Sequence, residues 1–305
     1  MNKIFVTGGH GFLGTSLIEF LKLKNFKLTF PTRKECDLTS ANALKNFSQD
    51  KYDLIFHLAA WTQAGDFSMK NPGLQWVNNQ LINTNLLNWW QSEQPKAKLI
   101  SIGSSCVYPS GKNLMEKDYI KGMPREEFLA YGMSKKMLHI GKLSLSQQFK
   151  LKYLSIVSST LYGPNYPILD RTPHFIIDII KKILIAKKKN KKVELWGSGN
   201  QRRESMHIED FVNQLVLCEK KINNDVINIG PGFDFTIKQW AKIICKIVNY
   251  DFNKILFNKN KYTGAKEKKM SVLKLKKTLP NYKSIELLKG LDQTIQGIKK
   301  KIIIN

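Results

Sequence analysis

The chain has 305 residues, 42% of them hydrophobic, and carries 49 Lys and Arg against 24 Asp and Glu, a formal net charge of +25. That length buries a full core, as one large domain or two fused lobes, and no apolar run reaches the ~18–20 residues a membrane span needs. The four cysteines, Cys36, Cys106, Cys218 and Cys245, show no paired spacing. This argues against a disulfide framework or a zinc site; with no signal-peptide shape at the start, it predicts a reduced, cytoplasmic setting without metal.

The positive charge is spread along the chain, apart from the runs at 187–192 and 299–301, and no nucleic-acid motif accompanies it. It reads as solvated lysine surface, with neither nucleic acid nor membrane as partner, and such a surface attracts anionic substrates. The arginines are more selective. Arg33, Arg202 and Arg203 fall where phosphates are expected, and a planar guanidinium pairs with phosphate in two places at once.

In chain order, an apolar strand over 3–6 feeds the glycine loop Gly8-Gly9-His10-Gly11-Phe12-Leu13-Gly14, and apolar spacing predicts a helix over 12–24. Strands follow at 27–30 and 52–57, then a helix at 73–92, a strand at 98–102, a helix at 131–148 and a strand at 153–157. Strands alternating with helices predict an α/β, Rossmann-type doubly wound parallel sheet. After Tyr162-Gly163-Pro164 the alternation loosens into a helix at 174–187, a strand at 193–195, a helix at 209–219, a strand at 226–229 and a helix at 236–248. The expected division is a dinucleotide-binding domain over 1–162 and a smaller C-terminal α/β substrate lobe over 163–305. The chain is expected to cross back to the sheet around 200–230, with ligands in the cleft between the lobes.

The glycine loop follows a strand and opens a helix, the setting in which glycines let the backbone approach a pyrophosphate and the helix N-terminus supplies amide donors. Gly8, His10, Gly11, Phe12, Leu13 and Gly14 are therefore candidate cofactor contacts. The second strand ends in Phe30-Pro31-Thr32-Arg33-Lys34, with a cation where NAD-reading sites place a carboxylate. Arg33 would pair with a 2′-phosphate, so NADP(H) is favoured. Asp37 and Leu38 could flank the adenine, and Leu58, Ala59 and Ala60 are small or apolar residues that admit the cofactor closely.

Ser104, Tyr131 and Lys135 form a proton-transfer set. A phenol with an ordinary pKa near ~10 gives up its proton reluctantly at neutral pH. A lysine one helical turn away makes it more acidic and also reaches the nicotinamide ribose, while the serine hydroxyl holds a carbonyl oxygen. Cys106 adds a thiol two residues after that serine.

With these motifs the chain resembles the extended short-chain dehydrogenase/reductase family of nucleotide-sugar enzymes, within it the GDP-L-fucose synthase branch of 3,5-epimerase/4-reductases. The likeness runs from the glycine loop to about Lys276. It includes Gly103-Ser104-Ser105-Cys106-Val107-Tyr108-Pro109, Leu161-Tyr162-Gly163-Pro164, Trp196-Gly197-Ser198-Gly199, Arg203-Glu204 and His207-Ile208-Glu209-Asp210. It implies a GDP-linked 4-keto sugar as substrate, a homodimer through the two long helices at 73–92 and 131–148, and a part in polysaccharide biosynthesis. It also implies that Cys106 and His174 are acid and base at the carbons beside the ketone. The chemistry is consistent: a C4 ketone acidifies the hydrogens on C3 and C5, and donors at its oxygen stabilise the enolate. Lys182, Trp196 and Arg203 match substrate contacts, Arg203 at the diphosphate.

The chain departs from the family pattern at Trp61-Thr62-Gln63-Ala64-Gly65-Asp66, at Thr160 and at Lys268-Lys269-Met270-Ser271. Trp61 is expected to face the sugar, which leaves a larger sugar such as a heptose open. Three other readings stay open: C4 reduction alone, a redox-neutral 4-epimerase holding NAD, and a non-catalytic dinucleotide-binding protein with a basic surface.

Overall fold

Residues 3–109, 111, 113–168, 172–261 and 263–303 are described by the computed structural model. The first part alternates β1 (Lys3–Thr7), α1 (Phe12–Lys22), β2 (Lys27–Thr29), β3 (Leu54–His57), the short α2 (Phe67–Lys70), α3 (Pro72–Glu93), β4 (Lys98–Ser104), α4 (Leu129–Phe149) and β5 (Tyr153–Ser158). There follow β6 (Thr160–Tyr162), α5 (Phe175–Lys188), β7 (Val193–Trp196), β8 (Arg202–Arg203), β9 (Ser205–His207), α6 (Ile208–Lys221) and β10 (Asp225–Ile229). The chain closes with β11 (Phe235–Thr236), α7 (Ile237–Val248), β12 (Ile255–Asn258), α8 (Leu273–Thr278) and α9 (Leu287–Ile303).

Six strands pair in the order β2-β1-β3-β4-β5-β10, every neighbouring pair parallel. The doubly wound parallel sheet expected from the alternation is present. Burial on both faces explains why β5 is inaccessible along its whole length and reads as a near-continuous apolar run. From β1 the chain winds to β2 on one side and resumes at β3 on the other. The strand order therefore reverses between β1 and β3, and their carboxyl ends open a crevice there.

Each face of the sheet has its own core. On one, α1 and α6 pack Leu17, Leu21, Phe211 and Leu215 over Ile4, Val6, Ile100 and Leu154. On the other, Leu86, Trp89 and Trp90 of α3 cover Phe5, Ile55 and Leu99, and α4 lies beside α3. A third core joins α5, α7 and α9 around Ile176, Ile180, Trp240, Ile244 and Leu291. Its helix α7 starts on a capping box: Thr236 Oγ1 accepts from the Gln239 amide (3.0 Å) and Gln239 Oε1 from the Thr236 amide (2.8 Å).

The short strands β6, β8, β9 and β11 were not anticipated, because two or three residues carry no legible alternation. The helix expected from 131 begins at Leu129, and that expected from 174 begins at Phe175, with His174 at its N-cap. Among the described residues no helix is long and apolar enough to cross a membrane.

Candidate active site

The glycine turn sits where the strand order reverses. Gly8 has φ +69° and its carbonyl accepts the Gly11 amide (3.1 Å), so the chain doubles back directly after β1. A methyl group at Gly8 would lie 2.7 Å from the Ala59 nitrogen, and one at Gly14 would lie 2.1 Å from the Gly8 carbonyl oxygen. The working spacing is thus Gly8, Gly11 and Gly14: a turn pressed against the segment that follows β3, then a helix pressed against the turn. No side chain caps the N-terminus of α1 at Gly11, a setting suited to an anion.

Beside this turn lies a cavity of about 240 Å³. Its walls include Gly8, His10 and Gly11 of the turn, Arg33, Asp37 and Leu38 beyond β2, and Ala59 and Ala60 after β3. Leu58 and Leu13 pack instead into the core below. Phe12 turns to the ring of Tyr166, 4.9 Å away. Arg33 is exposed and its Nε donates to Asp37 Oδ2 (3.3 Å). The Thr39 amide and hydroxyl donate to the other Asp37 oxygen, holding this carboxyl below its ordinary range. A cation is therefore held at the open edge of a cavity with a helix N-terminus at its base. Trp61, expected at the sugar, lines this cavity too, with its ring 4.8 Å from Phe67 and its backbone tied to Asn79.

The second cluster forms where β4 ends. Ser104 is its last residue, and the Ser104 hydroxyl accepts the Cys106 amide (3.2 Å), capping a single 3₁₀ turn that presents Cys106 half-buried. On α4, the Lys135 ammonium lies 5.8 Å from the centre of the Tyr131 ring. Lys135 is 4% exposed, and burial pulls its pKa down to about 8. Gly132 brings the two segments into contact: a methyl there would be 2.9 Å from the Cys106 carbonyl oxygen. Ser104, Cys106, Tyr131 and Lys135 therefore share one corner. It can orient a carbonyl oxygen between a hydroxyl and a phenol, with a thiol alongside.

Beneath that corner the sheet carries buried polar groups that the sequence did not expose. His57 Nδ1 and the Thr7 hydroxyl are 2.8 Å apart, His57 Nε2 and Asn83 Oδ1 3.2 Å, and the Asn83 amide donates to the Ser134 carbonyl (3.2 Å). Burial, with Lys135 nearby, drives the His57 pKa down to about 3, so the ring is neutral. This chain of bonds links the end of β1 to the turn of α4 that holds Lys135.

A model of the family described as "NAD dependent epimerase/dehydratase family" matches residues 4–230. The chain belongs to that family. It is 29% identical over 276 residues to the GDP-L-colitose synthase of Yersinia pseudotuberculosis, covering 87% of this chain and 88% of that protein. To the GDP-L-fucose synthase of Escherichia coli K12 it is 26% identical over 315 residues, 96% of this chain and 95% of that one. Among solved structures, the NADP-bound GDP-mannoheptose C4 reductase of Campylobacter jejuni matches with a TM-score of 0.84 at 25% identity, over 98% of each chain. The resemblance read from the motifs thus holds across nearly the whole chain, and the relatives are GDP-sugar synthases and reductases.

The remaining positions that the resemblance implies lie on α5, β7 and β8. At the N-cap of α5, the His174 amide donates to the Tyr166 hydroxyl (3.1 Å), and the two rings stand 6.1 Å apart, edge to face. Since Tyr166 also meets Phe12, His174 is two rings from the glycine loop. Lys182 and Trp196 come together, the ammonium 5.7 Å from the indole centre and 2.8 Å from Asp178. The Arg203 guanidinium donates to the carbonyls of Arg202, Thr263 and Ala265 at 2.6–2.8 Å, so it ties down the segment that follows β12. Lys268, which sequence reasoning passed over except as a departure from the family pattern, donates to the Cys106 sulfur (3.1 Å).

Proposed function

We propose that this protein is an NADPH-dependent C4 reductase of a GDP-linked 4-keto sugar that also exchanges protons at C3 and C5. The observation that carries the reading is the corner itself: Tyr131 beside the buried Lys135, on a helix whose Gly132 touches the carbonyl of Cys106. The names of the relatives support the GDP-sugar class. The cavity at the glycine turn fits a dinucleotide: a backbone cradle at Gly8 and Gly11, the open N-terminus of α1, and Arg33 at the rim for a 2′-phosphate.

In this reading Ser104 and Tyr131 hold the C4 oxygen and Tyr131 delivers the proton to it, with Lys135 favouring the ionised phenol. Bound NADPH supplies the hydride to C4. Cys106 and His174 take and return protons at the neighbouring carbons while the same two donors stabilise the enolate oxygen. Arg203 and the Lys182–Trp196 pair line the path of the nucleotide and sugar. The small space beside Cys106, about 20 Å³ and bounded by Tyr108, Leu114 and Phe128, has room for about one water-sized group. Two helices carry the proposed dimer face: Leu74, Val77 and Leu81 on α3, and Leu129, Met137 and Ile140 on α4, all exposed on the single chain. The enzyme is assigned to the cytoplasm.

NADPH oxidation over a panel of GDP-4-keto-6-deoxyhexoses and GDP-4-keto-heptoses, run in heavy water, tests this. Tyr131→Phe should slow reduction by roughly 10²–10⁴-fold. Cys106→Ser should keep reduction of an already epimerised ketone and lose deuterium uptake at C3 and C5. Protein that carries NAD and ignores NADPH across the panel would instead establish a redox-neutral epimerase.

A further inference from the structure

The segment after β12 returns across the thiol corner and is pinned there by its backbone. The Arg202 amide donates to the Lys266 carbonyl (2.9 Å), the Leu114 amide to the Lys269 carbonyl (3.1 Å), and the Met270 amide to Glu204 Oε1 (3.3 Å). Leu114 and Met270 form a β-bridge. Lys268, held between these anchors, is half-buried, and its ammonium lies 5.8 Å from the centre of the Phe128 ring as well as 3.1 Å from Cys106 Sγ.

We propose that Lys268 is the positioning residue of Cys106: its ammonium fixes the sulfur at the mouth of the corner and stabilises negative charge on it. The inference rests on the reading of Cys106 as a proton-exchanging group. An ammonium in direct contact with a thiol favours the thiolate, the form that accepts a proton from carbon. Other charged groups also face this space. Arg125 is paired with Glu127 (Nε to Oε2, 3.1 Å), and Glu267 lines the small cavity beside Lys268. Glu204, under the segment, feels the charges of Lys268, Lys269 and Asp234. Lys269 itself faces Asp234 at 3.6 Å. Lys268 thus reaches the sulfur from an irregular segment 162 residues away in the chain.

Alkylation by iodoacetamide, followed at each cysteine by mass spectrometry in the substrate-free protein, tests the contact directly. Cys36, Cys218 and Cys245 are buried and serve as internal controls. At pH 7, Lys268→Met should react at Cys106 roughly tenfold more slowly than the parent, and Lys268→Arg, which keeps the charge, should recover most of the rate. In the sugar assay Lys268→Met should lose deuterium exchange at C3 and C5 by a larger factor than hydride transfer, with NADPH affinity unchanged. A Lys268→Met protein that alkylates Cys106 as fast as the parent, or faster, overturns the proposal; Lys268→Gln answers the same question if the methionine variant does not fold. Because alkylation requires no substrate, a wrong sugar assignment leaves this result intact, and a failed alkylation result leaves the reductase reading intact.

Discussion

The glycine turn and the thiol corner lie at the carboxyl ends of β1 and β4, with β3 between them, yet they are held in shape by different means. The turn is shaped by what is missing: with Gly8 and Gly14 lacking side chains, β1, α1 and the segment that follows β3 come closer than any Cβ would permit. The corner is shaped by what is present. Ser104, Tyr131, Lys135 and Lys268 converge from three segments and are fixed by hydrogen bonds and buried charge. The first kind of site is insensitive to pH and intolerant of added atoms. The second tolerates isosteric change but responds to protonation.

The sharpest break in that contrast is Gly14→Ala. The new methyl meets backbone, the Gly8 carbonyl oxygen, which cannot swing aside as a side chain could. Overpacking of this kind costs about 3 kcal/mol or more, a fall in Tm of roughly 6–12 °C, and NADP should no longer protect the protein against heat. An alanine that melts with the parent and still gains stability from NADP would show that the turn is looser than its contacts indicate.

The corner should yield to pH instead, through the carboxyl that anchors the Lys268 segment. Glu204 is 4% exposed and burial raises its pKa from 4.5 to about 7. Its Oε2 and the Ser159 hydroxyl, both beside Gly230, are buried without hydrogen-bond partners among the described residues. Between those two values the unfolded chain has released the proton and the folded one retains it, so this group makes stability fall as pH rises, levelling off above about 7. At roughly 1.4 kcal/mol for each pH unit of that interval, the effect is at most about 3 kcal/mol. Glu204→Gln, which copies the protonated form, should match the parent near pH 4.5 and exceed it increasingly toward pH 7 in urea unfolding. Parallel stability curves across that range would remove Glu204 from the account.

The same contrast explains what could be read from the sequence. Gly8, Gly11 and Gly14 announce themselves because their constraint is local: strand, turn and helix lie within twenty residues. Tyr131 and Lys135 are legible for the same reason, one helical turn apart. His57 and Asn83 were invisible because their meaning is a contact between two elements, and a histidine within an apolar strand carries no sign of the amide that will face it. Lys268 was obscured further by composition, one lysine among many in a chain of net charge +25. Trp61 is legible only as a departure from the family pattern; that Asn79 ties its backbone at the wall of the glycine-turn cavity is again a contact between two elements.

Arg33 offers the smallest and most selective test, since it belongs to the turn's cavity yet acts through charge. It is exposed, and its present partner is Asp37, itself held by Thr39 rather than by the arginine alone. The guanidinium can therefore leave Asp37 for a 2′-phosphate without stranding a buried carboxylate. A charge-assisted bond at a solvent-exposed rim is worth about 1–1.5 kcal/mol, so Arg33→Ala should weaken NADPH binding roughly tenfold. It should leave NADH binding unchanged, with the melting temperature of the free protein held within a degree or two. Titration of both cofactors by nicotinamide fluorescence separates the outcomes. Equal loss for NADH and NADPH would mean that Arg33 shapes the cavity rather than reading the phosphate. The turn would then owe its selectivity to geometry alone.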